Sequence, residues 1–396
     1  MMIRERIFSI TLDSKMVTER IMKLLHSLCI IIIVCSCSRQ KKEAGAILSP
    51  QESIEDIQIE NGFEVQHVLS EPQVEDPIAL TFDEEGRMWV VEMPGYMQDK
   101  DAAGENLPLG KIKIFEDKDD DGEFETTSVF LDSLIMPRTV SIVKGGVLVI
   151  EPPKLFFVEN KNGVAGKRIL IDSVFAEEGN VEHRPNGLVH GIDNWLYSAK
   201  SDKRVRFVNG AWKVEPTLFR GQWGISHDDY GRLFYNNNSV SLMVDNFLPN
   251  AFGNNVNHSF ISKDIWDVRL VSGNVFPRRP TMGINRGYQK GSLDSIGRLV
   301  NTTSSTGPVV YRGDNFPKEY YGNVFVSEPA GFLVKRIIVH DDGNNKLAGE
   351  FAYPDKEFLT ATDERFRPVS LYNAPDGSLF MVDMHRGLIQ HTTYLT

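Results

Sequence analysis

Cysteine is nearly absent from this chain of 396 residues, and its three copies, Cys29, Cys35 and Cys37, all lie near the N-terminus. From residue 38 onward there can be no disulfide framework, no thiolate metal site and no Cys-x-x-Cys-His haem attachment. Positive charge is outnumbered, since 43 Lys and Arg stand against 54 Asp and Glu and the formal net charge is −11. A nucleic acid needs a basic face, so this charge disfavours a nucleic acid partner.

A long hydrophobic run is missing as well. The apolar run over residues 24–34 is too short to span a bilayer comfortably, which favours the hydrophobic region of a signal peptide. The following Val34-Cys35-Ser36-Cys37 resembles a bacterial lipobox with Cys37 as the lipidated residue. We therefore predict a signal peptide and lipobox over residues 1–37. A plain signal peptide or a short anchor is the alternative.

The first 15 residues are not typical of a signal peptide, so Met16 and Met22 are alternative starts. Residues 38–60 are polar and charged, and we expect them to form a flexible tether that lifts the domain off a membrane.

The body lacks a convincing amphipathic helix and instead repeats one unit six times. Each unit is an apolar strand, a tight turn with Asp or Gly, and a second apolar strand; the copies span residues 78–92, 140–151, 187–198, 224–236, 307–328 and 368–383. Further strand candidates between copies bring the count to four strands per unit. Four-stranded sheets repeated around an axis predict an all-β, six-bladed β-propeller over residues 61–396. We expect the free strand at residues 63–69 to close the ring by joining the last blade.

Four carboxylates end the second strand of their units at equivalent positions: Glu92, Glu151, Glu328 and Asp383. One interpretation is an acidic, hydrated funnel that holds a cation or a polyol. The other is that these side chains cap the sheets or pair with basic residues.

The segment Asp117-Lys-Asp119-Asp-Asp121-Gly122-Glu-Phe-Glu125 has the spacing of a calcium loop. Alternate carboxylates can converge on one hard cation, and Gly122 allows the sharp turn. No Glu stands at the twelfth position, so we predict a calcium-stabilised hairpin rather than an EF-hand, with Asp117, Asp119, Asp121 and Glu125 as ligands. A solvated acidic turn is the alternative.

A histidine, His183, stands just before the strand start of the third unit. At such a strand-edge position an imidazole can accept a proton near neutral pH, because its ordinary pKa is about 6.5. A structural loop histidine is the alternative reading.

The residues that follow resemble the soluble quinoprotein glucose and sorbosone dehydrogenases, which are six-bladed propellers that use pyrroloquinoline quinone (PQQ). The family's catalytic histidine matches His183, and its downstream strands match Gly187-Leu188 and residues 191–197. Arg220-Gly221-Gln222 is similar to the family's arginine motif one blade on, and Val91-Glu92-Met93 to its motif after the first blade.

Over residues 60–396 the chain also resembles the membrane-bound dehydrogenase type of propeller domain of planctomycete and bacteroidete proteins. The motifs that carry this resemblance are at residues 89–97, 186–197, 219–226, 283–289 and 363–369.

The quinoprotein resemblance implies that His183 is the catalytic base and that Arg220 stabilises charge on the quinone. It implies a PQQ site formed by Glu92, Arg220, Gln222 and Asp245. The family's Gly-Pro turn after the fourth blade, which helps to hold calcium beside the cofactor, is missing here, and Asp245 lies in that region.

These observations predict a surface-tethered, quinoprotein-like dehydrogenase that oxidises a sugar or polyol. Its electrons would pass to a separate acceptor such as a c-type cytochrome. It would be lipid-anchored in the cell envelope, on the periplasmic or outer surface. The alternative is a propeller that has lost its cofactor and binds glycans or partner proteins. A weaker option is a metal-dependent lactonase, with Glu92, Asn186, Asn236 and Asp383 as the site.

Overall fold

The computed structural model describes residues 6–12, 47–99, 101–119, 121–177, 181–249, 251, 265–281, 290–344 and 346–387. The predicted lipobox and the alternative starts at Met16 and Met22 lie outside the described residues.

The predicted six-bladed β-propeller is confirmed: the strands form six antiparallel sheets arranged as blades. The first four blades each use four consecutive strands. Blade 1 contains β4 (Pro77–Phe82), β5 (Met88–Glu92), β6 (Gly110–Glu116) and β7 (Thr126–Leu134); blade 2 contains β8 (Thr139–Val143), β9 (Gly146–Glu151), β10 (Lys154–Lys161) and β11 (Val164–Asp172); blade 3 contains β12 (Asn186–His190), β13 (Leu196–Ala199), β14 (Ser201–Val208) and β15 (Ala211–Arg220); blade 4 contains β16 (Ile225–His227), β17 (Leu233–Asn237), β18 (Val240–Val244) and β19 (Val268–Val271).

The last two blades depart from this simple order. Blade 5 contains β20 (Thr306–Val310), β21 (Val324–Glu328), β22 (Leu333–Asp341) and β23 (Leu347–Phe351), extended by the short strands β24 (Leu359–Thr360) and β2 (Gln58–Ile59). Blade 6 contains β25 (Pro368–Asn373), β26 (Leu379–Asp383), β1 (Arg6–Leu12) and β3 (Phe63–Ser70).

Strand burial follows from position in the blade. Every residue of β5 and β21 is buried, because these second strands have a neighbouring blade on each face. The fourth strand β11 is mostly exposed because it forms the rim. An apolar run without alternation therefore marks the second strand of a blade.

An aspartate organises several of the turns between the first and second strands. In blade 1, Asp83 accepts the backbone N–H groups of Glu85 and Arg87 and the indole N–H of Trp89. In blade 4, Asp228 accepts hydrogen bonds from the backbone N–H and the guanidinium of Arg232. These aspartates are the repeated turn residues that the sequence pattern detects.

The first strands surround the axis, and hydrogen bonds link each of two of them to a neighbouring blade. Gly307 N–H donates to the carbonyl of Trp223, and Ser370 Oγ donates to the carbonyl of Ile78. Backbones approach so closely here that a Cβ on Gly224 would lie 2.7 Å from the Cα of Gly307. Gly224 also has a φ of +73°, so two requirements favour glycine at this position.

The ring is closed within blade 6 by N-terminal strands, as predicted for residues 63–69. The strand β3 does not pair with β26 directly, because β1 lies between them and pairs with both. Phe8 and Ile10 of β1 are fully buried in a cluster that includes Phe325 of blade 5.

Residues 47–60, which fall in the predicted tether, carry regular structure. The helix α1 (Pro50–Asp56) begins with a capping box in which Ser49 and Glu52 exchange hydrogen bonds. Asp56 at its end accepts the backbone N–H groups of Thr362 and Asp363, which fastens this segment to the loop before blade 6. Among the residues described, no helix is long and apolar enough to cross a membrane.

Candidate functional site: the axial cavity

One face of the ring, here called the upper face, is where first strands begin and second strands end. A cavity of about 150 Å³ lies on this face, between blades 1, 4, 5 and 6. Its apolar lining residues are Ile78, Met93, Tyr96, Met97, Trp223, Pro329, Ala330, Val369 and Met384. Its polar lining residues are Gln222, Asn238, Thr303, Ser304, Thr306, Arg367, Ser370 and Arg386. A mostly apolar cavity with a few polar groups is typical of a small-molecule site.

One wall is the loop that follows β5, and an arginine from blade 6 fastens it. Arg386 forms a buried ion pair with Asp76 and donates to the carbonyl of Met97. The wall therefore depends on contact between the first and last blades.

Three hydroxyl groups on the cavity wall use their protons within the protein. Ser304 Oγ donates to Glu328 Oε1 (2.7 Å), Thr306 Oγ1 to the carbonyl of Val369 (3.2 Å), and Ser370 Oγ to the carbonyl of Ile78 (2.5 Å). Ser304 Oγ also accepts the backbone N–H of Ala330 (3.0 Å). A hydroxyl has one proton and two lone pairs, so each of the three oxygens can still accept a hydrogen bond.

Glu328 lies behind the wall and is fully buried. Burial raises the pKa of Glu328 to about 7, although the hydroxyl and backbone N–H of Ser304 both donate to its carboxylate. Both protonation states of this carboxyl group are therefore populated near neutral pH.

The four equivalent carboxylates all act as caps. Each accepts a backbone N–H from the loop that leads into the first strand of its own blade: Glu92 from Glu75 (2.9 Å), Glu151 from Ile135 (2.9 Å), Glu328 from Ser304 (2.9 Å) and Asp383 from Arg367 (2.7 Å). Glu92 also pairs with Lys113, and Glu151 with Arg168. Of the two interpretations, the geometry matches capping for all four carboxylates and pairing with a basic residue for Glu92 and Glu151.

His183, the predicted base, ends a 3₁₀ turn (Val181–His183) just before β12, so its backbone lies at the upper face. Its side chain is partly buried and is not among the residues lining the cavity. The buried guanidinium of Arg138 donates to the carbonyl of Val181 and lies 5.3 Å from the ring centroid of Trp223. This contact places the turn beside the cavity rather than in it.

Arg220, the predicted electrophile, turns away from the cavity. It is 1% exposed, donates to Asp245 at 2.6 Å, and lies 5.5 Å from the ring of Tyr197. Asp245 also accepts the hydroxyl of Tyr235. The structure thus brings together two of the predicted cofactor ligands, but as an ion pair between blades 3 and 4.

The residues predicted to hold PQQ do not fit such a group. Arg220 and Asp245 neutralise each other, and Glu92 is buried against Lys113. Gln222 alone of the predicted set lines the cavity. A cofactor with several carboxylates needs cationic donors that are not already paired, and this set offers none.

The predicted calcium loop forms the hairpin between β6 and β7, on the face opposite the cavity. Carboxylate oxygens of Asp117, Asp119, Asp121 and Glu125 lie within 4.8 Å of one another and could hold a metal ion. Charge repulsion, from Asp121 above all, raises the pKa of Asp119.

Of the residues of the lactonase option, Asn186 uses both ends of its amide within the protein. Asn186 is held by the carbonyl of Gln222 and the N–H of Gly224. In the described part of the chain, the 117–125 hairpin is the one group of three or more carboxylate, imidazole or thiolate ligands close enough to share a metal ion.

The wall residues Ser304, Thr306 and Arg367 were not predicted from the sequence as site residues. A usable signal existed, because each precedes or begins the first strand of its blade, where loops meet at the upper face. Arg367 also lies in the motif at 363–369 that carried a family resemblance.

Solved structures with a similar shape have different described functions. They include a protein from Thermus thermophilus described as an oxidoreductase (glucose dehydrogenase), at 14% identity over 80% of this chain and 94% of that chain, with a TM-score of 0.43. An auxiliary nutrient binding protein from Bacteroides thetaiotaomicron matches at 12% identity over 79% and 68% of the two chains, TM-score 0.43. The calcium-binding protein regucalcin from Agrobacterium tumefaciens matches at 12% over 77% and 89%, TM-score 0.37. Likenesses this weak carry no argument about activity.

A search of curated protein sequences found no match. The membrane-bound dehydrogenase type indicated by the motifs stays a prediction. A family profile matches residues 49–396, which include nearly all of the propeller. The chain belongs to the family described as Domain of unknown function (DUF7133).

Proposed function

We propose that the protein is a binding propeller that takes a sugar or another polyol in the axial cavity. The observation that carries this proposal is that the three wall hydroxyls donate their protons to acceptors within the protein. Thr306 and Ser370 donate to backbone carbonyls, and Ser304 donates to Glu328 when that carboxyl group is ionised, so a ligand has to supply the protons for hydrogen bonds to them. A polyol does this through its own hydroxyl groups.

The apolar part of the wall suits the same ligand. A sugar ring or an extended polyol also presents C–H surface, which packs against aromatic and thioether side chains. Trp223, Tyr96 and Met97 supply that surface, and the amide side chains of Gln222 and Asn238 add polar groups at the wall.

Calorimetric titration of the purified protein with a panel of aldoses and alditols tests the proposal. We expect binding to at least one member, and a loss of about tenfold or more in affinity for Trp223→Ala. Tyr230→Ala is the matched control, because Tyr230 is 70% exposed and lies outside the cavity lining. Absence of binding across the panel would overturn the proposal.

A second candidate is oxidation of the bound polyol, the dehydrogenase activity expected from the motifs. The observation that favours it is Glu328, whose pKa burial raises to about 7 and which reaches the cavity through Ser304. A carboxylate of this kind can accept a proton from a ligand hydroxyl by way of the serine. The redox group would have to be held by residues other than the predicted PQQ set.

Dye reduction with added PQQ, calcium and the sugar panel separates the two candidates. The binding propeller gives no turnover. If turnover is found, comparison of Glu328→Gln with His183→Ala identifies the base, since loss of a general base lowers turnover by about 100-fold or more.

We also propose that the 117–125 hairpin binds calcium, which is supported by the close approach of its four carboxylates.

Lipidation at Cys37, attachment to the cell envelope and a separate c-type cytochrome partner remain proposals, supported by the sequence motifs alone. Metabolic labelling with a palmitate analogue, compared between the native chain and Cys37→Ser, tests the anchor.

A further inference from the structure

Arg367 is a buried cation on the wall of the axial cavity. Arg367 directly precedes β25 and is 3% exposed. Its guanidinium lies 4.5 Å from the ring centroid of Phe332. Its hydrogen-bond acceptors are the carbonyls of Pro329, Phe366 and Gly387, and its Nε has no acceptor among the described residues. Carbonyl oxygens solvate the guanidinium but do not neutralise its charge.

The nearby carboxylates do not remove this charge either. Asp383, Asp363 and Glu364 act on Arg367 through space, but none of them forms an ion pair with it in the part of the chain that the structure describes, and Glu364 pairs with Arg279. Asp363 instead bonds the imidazole Nε2 of His385 at 2.9 Å. Burial lowers the pKa of Arg367 to about 9, so the side chain still carries its charge at neutral pH.

The other arginine of the wall is different. Arg386 is neutralised by Asp76 through two guanidinium nitrogens. Glu328, the carboxyl group nearest the cavity hydroxyls, is about half protonated near pH 7 because burial raises its pKa. As far as the chain is described, the wall therefore presents one cation without a paired anion.

We propose that the ligand of the axial cavity is a sugar acid, a polyol that carries one carboxylate, and that Arg367 attracts that carboxylate. This inference rests on the proposed polyol function and narrows its ligand class. A single carboxylate matches the single unpaired cation. A phosphate carries about two negative charges near pH 7 and would need further donors, which the wall does not supply.

The test compares ligands of the same shape and different charge. Calorimetric titration of the full chain with D-gluconate, D-gluconamide and D-glucitol keeps the hydroxyl groups nearly constant while the carboxylate is removed. We expect gluconate to bind about ten- to a hundredfold more tightly than the two neutral compounds, since a hydrogen bond to a charged partner has that effect.

Two variants assign the effect to the residue. Arg367→Gln should abolish the preference for the charged ligand, so that gluconate binds no more tightly than gluconamide or glucitol to the same variant. Arg279→Gln is the matched control: Arg279 lies 5.3 Å from the same ring, that of Phe332, but pairs with Glu364 and is absent from the cavity lining. It should bind gluconate as the native chain does.

The outcomes separate this inference from the proposed function. If glucitol binds and gluconate binds no more tightly, the inference fails and the polyol proposal stands. If none of the three binds and the aldose panel is also silent, both fail. If Arg367→Gln does not fold, the comparison of the three ligands on the native chain still decides the matter.

Discussion

Each buried charged side chain in this protein has its own set of partners, and the loss of those partners affects stability differently from one residue to the next. Arg220 and Asp245 are both almost fully buried and lie 2.6 Å apart. Removal of one member of such a pair leaves the other charge without compensation in a medium that solvates it poorly.

We expect Asp245→Asn to destabilise the fold by about 3–5 kcal/mol, because Arg220 then stays buried without a counter-charge. The midpoint of urea unfolding measures this change. The control is Asp229→Asn, which breaks an exposed pair with Arg312 and should cost about 1 kcal/mol or less. Equal effects of the two substitutions would contradict the role given to burial.

Glu328 makes stability depend on pH. Its folded pKa of about 7 lies above the ordinary value of about 4.3, so the folded protein binds a proton more tightly than the unfolded chain. The resulting stabilisation is complete below about pH 4 and is lost as pH rises toward 7, and it is on the order of 3 kcal/mol. Glu328→Gln should remove this slope, as measured by unfolding at about pH 5 and pH 8. A native chain and variant with the same pH dependence would contradict the assignment.

At the scale of elements, two turn motifs recur with small changes. Aspartates such as Asp83 and Asp228 organise the turn after the first strand, and the carboxylates that end second strands cap the loop leading into the blade. The 117–125 hairpin differs because its carboxylates lie close to one another, whereas the carboxylates of the other two motifs bond mainly to backbone N–H groups.

Calcium should raise the melting temperature of the protein through this hairpin. Asp119→Asn should have two effects of opposite sign: slightly higher stability without calcium, because repulsion among the carboxylates falls, and a weaker response to calcium, because a ligand is lost. Glu123→Gln is the control, since Glu123 lies in the same loop outside the cluster. Differential scanning fluorimetry with calcium or EGTA measures both effects, and a calcium response that Asp119→Asn leaves intact would refute the site.

At the scale of the whole molecule, closure of the ring depends on segments from both ends of the described chain. The strand β1 lies between β26 and β3, so it pairs with both, and its Phe8 and Ile10 are fully buried. This strand precedes the predicted cleavage site at Cys37, so processing there would remove it from blade 6.

A chain that begins at residue 13 should be less stable than one that begins at residue 5, by about 3–5 kcal/mol, because two buried apolar side chains are lost. Strands β26 and β3 would also lose their shared partner. Thermal and urea unfolding of the two chains measure the difference. Identical midpoints would show that β1 does not contribute to closure.

The fold was largely predictable because it is periodic in the sequence. All six copies of the unit became the first two strands of a blade, and residues 63–69 joined the last blade as expected. The place of β1 was not predictable, since RIFSITL has no repeat partner and stands before a segment typical of a signal peptide.

The site was less predictable. Gln222, which was predicted from a motif, lines the cavity. Arg220 of the same motif instead points into the interface between blades 3 and 4, where it bonds Asp245. The spacing of residues in the sequence does not specify the direction of a side chain at the end of a strand. Ser304 and Arg367 are 63 residues apart and meet only because blades 5 and 6 are neighbours.

The amino-acid order by itself determined the strands, their turns and the number of blades, since apolar runs and turn residues act over a few neighbouring positions. Only the tertiary structure decided which hydroxyls keep their protons inside the protein, which arginine is neutralised and which is left charged on the cavity wall. Those properties depend on partners from other blades, and the distance between blades is set by packing around the axis.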